Sequence, residues 1–441
     1  MKRLLPLLLC AVLALFCATT AQAAGVSITL TASEYALHYA FDAGAQDPFV
    51  ILEYTTPAEK GWMMLYSEDG HFEGDVSLAY SGAGGKTSVA LTSARTTGSI
   101  GKASTTLPKA ADYQKPTGKS NAKVTDFVLT ETPEGFHYAF NAAGTDYMLL
   151  YWRSKEQTVT QPVYPDENGH YEGDVVSELT FARTQFTVQV KSGSGSMKKE
   201  ATVRKGYQAP EAPQRQEGRL SGVTVCIDAG HQENGRFVNE PIGPGLSGST
   251  SGKGGMAQGT KTNRRESIVC LEIGMLLRDE LLRQGANVVM TREDQTTFHT
   301  NIERCEIAEA GGAQIMLRLH CNNSSNRSKR GIQVSGPLNS DYAKAVADAD
   351  TYREMGQKLL DAMKTRVGMT LANSTGMVRL NDNYVGNNWA KMMCFLVEMG
   401  YLSNPAEEYL LVTPVYQQWL AEGMADGVYE IAVARGWVQA Q

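Results

Sequence analysis

Three apolar runs in this chain each break abruptly at a polar side chain. They are Val223-Thr224-Val225-Cys226-Ile227-Asp228-Ala229-Gly230-His231, Ile315-Met316-Leu317-Arg318-Leu319-His320 and Met393-Cys394-Phe395-Leu396-Val397-Glu398. Short apolar runs bounded in this way read as buried strands. In open α/β sheets the chemistry sits outside the carboxyl ends of the strands. A single crevice along that edge would collect His231, His320 and Glu398, and this constrains the fold more than any other feature of the chain.

At 441 residues the chain is too long for one ordinary domain. Its 42% hydrophobic and 20% charged residues suit a globular protein, and the formal charge of −6 gives no reason to expect a nucleic-acid partner. Lys2 and Arg3 precede an apolar run from Leu4 to Cys17, and Thr19-Thr20-Ala21-Gln22-Ala23 supplies the small residues of an A-x-A site. Residues 1–23 therefore read as a secretory signal peptide cleaved after Ala23. No later stretch approaches the ~20 apolar residues that a membrane span needs. The expectation is a secreted protein working at the cell envelope, outside the cytoplasmic membrane, with no stable span once the signal is removed. Loss of Lys2 and Arg3 leaves 39 basic against 47 acidic side chains, a charge of −8. Five cysteines remain (Cys226, Cys270, Cys305, Cys321 and Cys394), an odd number without CxxC spacing, which points away from a disulfide framework.

Residues 25–207 contain an internal repeat. Leu37-His38-Tyr39-Ala40-Phe41-Asp42-Ala43 returns as Phe136-His137-Tyr138-Ala139-Phe140-Asn141-Ala142, and Gly70-His71-Phe72-Glu73-Gly74-Asp75-Val76 returns as Gly169-His170-Tyr171-Glu172-Gly173-Asp174-Val175. His38 and His137 stand as far apart as His71 and His170, so the copies align without insertion between these landmarks. Period-two alternation, frequent turn residues and no long amphipathic helix predict tandem all-β, sandwich-like repeats at 25–108 and 124–207. Asp69-Gly70 and Asn168-Gly169 read as hairpin turns. The four repeated histidines suit inherited hydrogen bonding better than metal binding. The repeats either bind a cell-wall polymer or space the next domain.

Residues 208–219, with two prolines and no periodicity, form a linker. From 220 to 441 strands and helices alternate, which predicts an α/β domain with a mainly parallel sheet flanked by helices. Helices are expected over 264–282, 302–310, 343–366 and 415–434, with a further strand over 287–292.

A catalytic zinc site uses three protein ligands and one open position. His231 and His320 supply two. Glu266, at the start of the first helix, can be the third ligand or can serve as the N3 member of a capping box with Asn263. Glu398 is placed to act as a general base.

Asp228-x-Gly230-His231, then Glu266, Thr291-Arg292, His320-x-Asn322 and Val397-Glu398-Met399-Gly400-Tyr401-Leu402-Ser403-Asn404 resemble, in that order, the zinc-dependent N-acetylmuramoyl-L-alanine amidases of the Amidase_3 type. The resemblance covers roughly residues 220–436. It implies hydrolysis of the amide between N-acetylmuramic acid and L-alanine in peptidoglycan. It also implies one Zn2+ held by His231, Glu266 and His320, with Glu398 activating the water. Asp228, Arg318, Asn322 and Asn404 are candidates for contacting substrate or supporting the site. Two departures stand out. Gln232-Glu233-Asn234-Gly235 replaces the Gly-Gly that often follows the first histidine, and Arg318 occupies the place of a common serine. That cation can meet a substrate carboxylate or pair with an acid such as Asp228. The Gly/Ser/Thr-rich loop from Glu240 through Thr262 is expected to border the glycan groove. Two other readings remain: a wall-binding protein with an inactive amidase-like domain, and a different zinc peptidase acting on stem peptides.

Overall fold

The computed structural model describes residues 19–22, 25–96, 98–113, 115, 122–132, 135–145, 147–154, 157–176, 185–192, 197–204, 209–232, 238–250, 255–262, 264–368 and 378–440. The apolar run of the expected signal peptide, Asn263 and residues 233–235 lie outside the described residues.

Strands fill the first half: β1 (Thr19–Gln22), β2 (Ser27–Ala32), β3 (Ala36–Asp42), β4 (Phe49–Thr55), β5 (Glu59–Tyr66), β6 (His71–Ser77), β7 (Gly85–Ser93) and β8 (Ser99–Leu107), then β9 (Lys123–Thr132), β10 (Gly135–Ala143), β11 (Met148–Arg153), β12 (Gln157–Val163), β13 (His170–Val176), β14 (Gln185–Lys191) and β15 (Met197–Arg204). The period-two pattern does what it predicts, since Ile28, Leu30, Leu37, Tyr39 and Phe41 alternate inward. Gly70 and Gly169 take φ of 85° and 79° at their turns, a conformation that favours glycine.

The sequence expects two separate sandwiches, and the pairing differs. Each repeat keeps a small sheet of its own, β1-β2-β3-β6 and β13-β10-β9. The other strands join one eight-stranded sheet in the order β15-β14-β11-β12-β5-β4-β7-β8. The seam is β12 against β5, with Thr158 opposite Lys60 and Val159 opposite Glu59. Pairing there removes an open edge from each repeat. The repeated histidines hydrogen-bond to their neighbours: His38 to Asp75, His71 to Asp42, His137 to Asp174 and His170 to Asn141.

The second half contains β16 (Thr224–Ala229), α1 (Glu266–Arg283), β17 (Asn287–Met290), α2 (Asn301–Ala310), β18 (Ile315–Asn322), β19 (Gln333–Gly336), α3 (Asp341–Val346), α4 (Ala349–Val367), β20 (Val378–Leu380), α5 (Val385–Trp389), β21 (Met393–Tyr401), α6 (Glu407–Leu410) and α7 (Pro414–Ala434). Its sheet runs β17-β16-β18-β21-β19-β20 and is mixed, because β19 pairs antiparallel with β21. The single helix expected over 343–366 is two helices. Asp348 caps the second by accepting the Thr351 N–H, which restarts the chain after Ala347. Among the described residues no helix is long and apolar enough to cross a membrane. All five cysteines there are free and buried.

Alternation sorts the sheet's two faces. Odd-numbered residues of β18, those of β21 from Met393 to Met399, and Val225, Ile227 and Ala229 of β16 join the main core with α1, α4 and α7. Cys226, Met316 and Cys394 face the other way, under Cys305 and Ala308 of α2 and Ala390 and Met392. Asp228, Arg318, His320 and Glu398 share the parity of this second face, further toward the strand ends.

The first repeat docks on the second half. Phe49 and Tyr66 meet Trp419 edge-on, Phe49 also meets Tyr416, and Trp62 meets Tyr409. Phe49, Ile51 and Trp62 belong to the same buried cluster as α1 and α7.

Candidate metal centre

Parallel register builds the site. Asp228 lies opposite Arg318, and one pleat further on His320 lies opposite Glu398. Glu266 arrives from the other face as the first residue of α1, whose N-terminus sits at the carboxyl edge of the sheet. The capping alternative fails because the N-cap is Arg265, so Glu266 occupies N1 rather than N3. Its carboxylate turns into the site instead. One oxygen lies 3.1 Å from His231 Nε2 and 2.9 Å from His320 Nδ1, and accepts the Cys321 N–H at 3.0 Å. The other accepts the Ala257 N–H at 2.7 Å.

Among the described residues His231, Glu266 and His320 form the one group of His, Cys or carboxylate side chains placed to share an ion, with one donor atom from each within 4.8 Å of the others. Two imidazole nitrogens and a carboxylate oxygen, backed by protein on one side and open to a cleft on the other, suit Zn2+ at a catalytic site. Burial pushes the Glu266 carboxyl up, but the hydrogen bonds from His231 and His320 outweigh it and hold Glu266 well below the usual carboxylate range. Burial holds His320 below its ordinary value despite the Glu266 bond, which favours the neutral imidazole that a metal requires.

Among the described residues Glu398 Oε2 is buried without a hydrogen-bond partner. Burial, then the Glu266 charge, pushes this carboxyl up to about 8. A buried polar atom without a partner, facing a cleft, is what a group reserved for a reacting molecule looks like.

The support beneath the site is ionic. Asp228 is fully buried and accepts from Thr291 Oγ1 at 2.8 Å, from Arg318 Nε at 2.9 Å and from Arg304 Nη1. Burial alone would raise its pKa, yet the Arg304 and Arg318 charges hold it far below the usual range. Arg318 therefore pairs with Asp228, and its second contact is Asn301 Oδ1 at 2.7 Å. His231 adopts φ 58°, a left-handed conformation uncommon outside glycine. Arg292 and Arg304 bind the carbonyls of Gly230 and His231 and hold that turn.

The cleft above these three side chains is about 890 Å3 and is lined by Gln232, Glu240, Thr250, His299, Asn322 and Tyr384, among others. The loop after Glu240 borders it, through Gly255, Met256 and Ala257. His299 stands on the rim, its carbonyl accepting from Arg304. Asn404 lies away from the cleft. Its Oδ1 accepts the N–H groups of Ala406 and Glu407, and its Nδ2 donates to the carbonyls of Arg327 and Lys329, so it fixes a turn after β21. Trp389 donates to the Pro241 carbonyl and anchors the loop. Glu240 escapes sequence reasoning. Its carboxylate accepts the backbone N–H groups of Asn301 and Ile302 at the start of α2, and only the fold brings these together.

Residues 225–430 match the family model described as N-acetylmuramoyl-L-alanine amidase. The germination-specific N-acetylmuramoyl-L-alanine amidase of Bacillus subtilis is 26% identical over 231 residues, covering 49% of this chain and 83% of that one. The probable cell wall amidase LytH of Staphylococcus aureus is 26% identical over 218 residues, 48% of this chain and 60% of its own. Among solved structures, the N-acetylmuramoyl-L-alanine amidase of Clostridium difficile 630 superposes with a TM-score of 0.38 at 24% identity, covering 48% of this chain and 96% of that one.

Proposed function

Because residues 225–430 are an N-acetylmuramoyl-L-alanine amidase domain of the Amidase_3 family, we propose that this chain cleaves the amide between N-acetylmuramic acid and L-alanine in peptidoglycan, outside the cytoplasmic membrane. His231, Glu266 and His320 hold one Zn2+ and Glu398 is the general base. The observation that carries the reading is the unpartnered, buried Oε2 of Glu398 beside the three converging donors. When bound by these residues, Zn2+ would supply Lewis-acid chemistry, polarising the scissile carbonyl and lowering the pKa of water toward ~7.

The protein's own part is positional. Glu398 takes a proton from the attacking water as its oxygen bonds to the carbonyl carbon, then delivers that proton to the departing amine nitrogen as the C–N bond breaks. Asp228, Arg304 and Arg318 keep the strand ends rigid beneath this exchange. Asn322 and Tyr384 line the cleft wall, which supports a role for them in hydrogen-bonding the glycopeptide. An inactive wall-binding protein would not need the complete His231, Glu266, His320 and Glu398 set.

The test is digestion of purified peptidoglycan by the mature protein, with and without a chelator, beside Glu398→Ala. New L-alanine amino ends and peptide-free glycan are expected, with the rate falling by roughly 10²–10⁴ in the variant. Cleavage elsewhere in the stem peptide, or undiminished cleavage by the variant, overturns the reading.

A further inference from the structure

The fused sheet carries a second candidate site, on its open face. Residues 25–108 contain nine acidic side chains and four basic ones. Of the four, Arg95 is paired with Asp47. The other three, Lys60, Lys86 and Lys102, come from three different strands and all line one cleft of about 730 Å3. Scattered solvation would distribute lysines over an acidic module; here they are gathered in one place.

The register explains the gathering. Lys60 lies opposite Thr55, which lies opposite Ser88, which lies opposite Ser104. Lys102 lies opposite Ala90, which lies opposite Glu53. Lys86 is one pleat beyond Ser88 on β7. All of these side chains therefore share one face. The three lysines are exposed, and among the described residues none of their ammonium groups has an ion-pair partner. Thr158 of the second repeat completes the wall, because β12 pairs with β5 at that point. Trp62 closes the other end, where it also meets Tyr409 of the second half.

We propose that this cleft binds a peptidoglycan strand through the carboxylates of its stem peptides, as a second attachment point beside the amidase site. The chemistry matches in each part. Three cations suit carboxylates, the hydroxyls of Thr55, Ser88, Ser104 and Thr158 suit amides and sugar hydroxyls, and Glu53 suits an amine. Since Trp62 belongs both to this cleft and to the interface with the second half, bound polymer is held at a fixed position relative to the site of cleavage. The choice of polymer rests on the amidase reading; the basic cleft itself does not.

The experiment uses the full mature chain carrying Glu398→Gln, so that bound polymer is not consumed. It is sedimented with insoluble peptidoglycan freed of phosphate-bearing polymers. K60Q/K86Q/K102Q in the same background should weaken retention by about ten-fold, and arginine at the three positions should restore most of it. Retention by the parent should also fall as ionic strength rises. Because all three side chains are exposed, the thermal unfolding of the variants should match that of the parent. Unchanged retention in the glutamine variant, or retention insensitive to salt, overturns the site. Retention only by polymer that still carries its phosphates overturns the ligand. Cleavage of a soluble muramoyl-peptide by the unmutated protein is followed in parallel, so that failure of the amidase reading and failure of this site register separately.

Discussion

His320 Nδ1 stands 2.9 Å from Oε1 of Glu266, although one ends a strand and the other opens a helix on the opposite face of the sheet. The same oxygen faces His231 Nε2, so the three side chains are already gathered around one point. If these side chains hold Zn2+ as proposed, alanine at any one of His231, Glu266 or His320 should weaken its binding by roughly a hundred-fold or more, since the group would lose one of its three donors. Metal content after dialysis checks this, with about one Zn2+ per parent chain expected. A variant that keeps its full metal would remove its residue from the ligand set.

Gly230 precedes His231, and its close quarters set the next expectation. A Cβ there would stand 2.4 Å from the Leu319 carbonyl oxygen and 2.6 Å from His320 Cε1. Both the Leu319 backbone and the His320 imidazole must therefore shift. Gly230→Ala should lower Zn2+ affinity by about ten-fold or more and cost some stability as well, through displacement of His320 rather than its loss. Competition with a colorimetric chelator, beside a far-ultraviolet spectrum, separates this from general unfolding.

The three strand ends were legible because a buried parallel strand is a continuous apolar run, and polar residues at its end interrupt the pattern. Glu266 was legible as a candidate ligand only through its company, since its neighbours also spell a capping box. The true N-cap, Arg265, shows why pattern alone does not choose. Residues whose partners are distant in sequence were harder. Glu240 binding the start of α2 has no local signature, and Asn404 shares a motif with Glu398, yet only the fold shows that its hydrogen bonds go to the turn after β21. The fused sheet was invisible for a related reason. Each repeat encodes its own alternation, but nothing in either copy encodes the pairing of Thr158 with Lys60.

Asp228 offers a stability test with a definite pH sign. Asp228→Asn leaves Arg304 and Arg318 buried beside a neutral amide, which should cost about 3–5 kcal/mol in denaturant unfolding at neutral pH. Because the folded carboxyl is held below its ordinary value of 3.8, its contribution is fully present above that value and is lost as pH falls below it. The gap between parent and variant should thus stay constant from about pH 5 to 8 and close only in more acidic solution. A gap that closes between pH 5 and 8 would show that the Arg304 and Arg318 charges do not hold the carboxylate.

The docking of the first repeat makes the last prediction. Phe49 is 1% exposed, and its ring contacts Tyr66 on its own sheet and Tyr416 and Trp419 on the second half. Phe49→Ala removes the ring common to these contacts, and truncations of this kind cost about 3–5 kcal/mol. Most of that loss falls on the interface rather than on either core. Calorimetry should therefore show one thermal transition in the parent and two in the variant, with the higher one belonging to the half that carries α1 and α7. If the cleft at Lys60, Lys86 and Lys102 works with the amidase site through this rigid contact, Phe49→Ala should also slow digestion of insoluble peptidoglycan more than cleavage of a soluble fragment. Equal slowing of both would mean that the interface serves the fold of the second half alone.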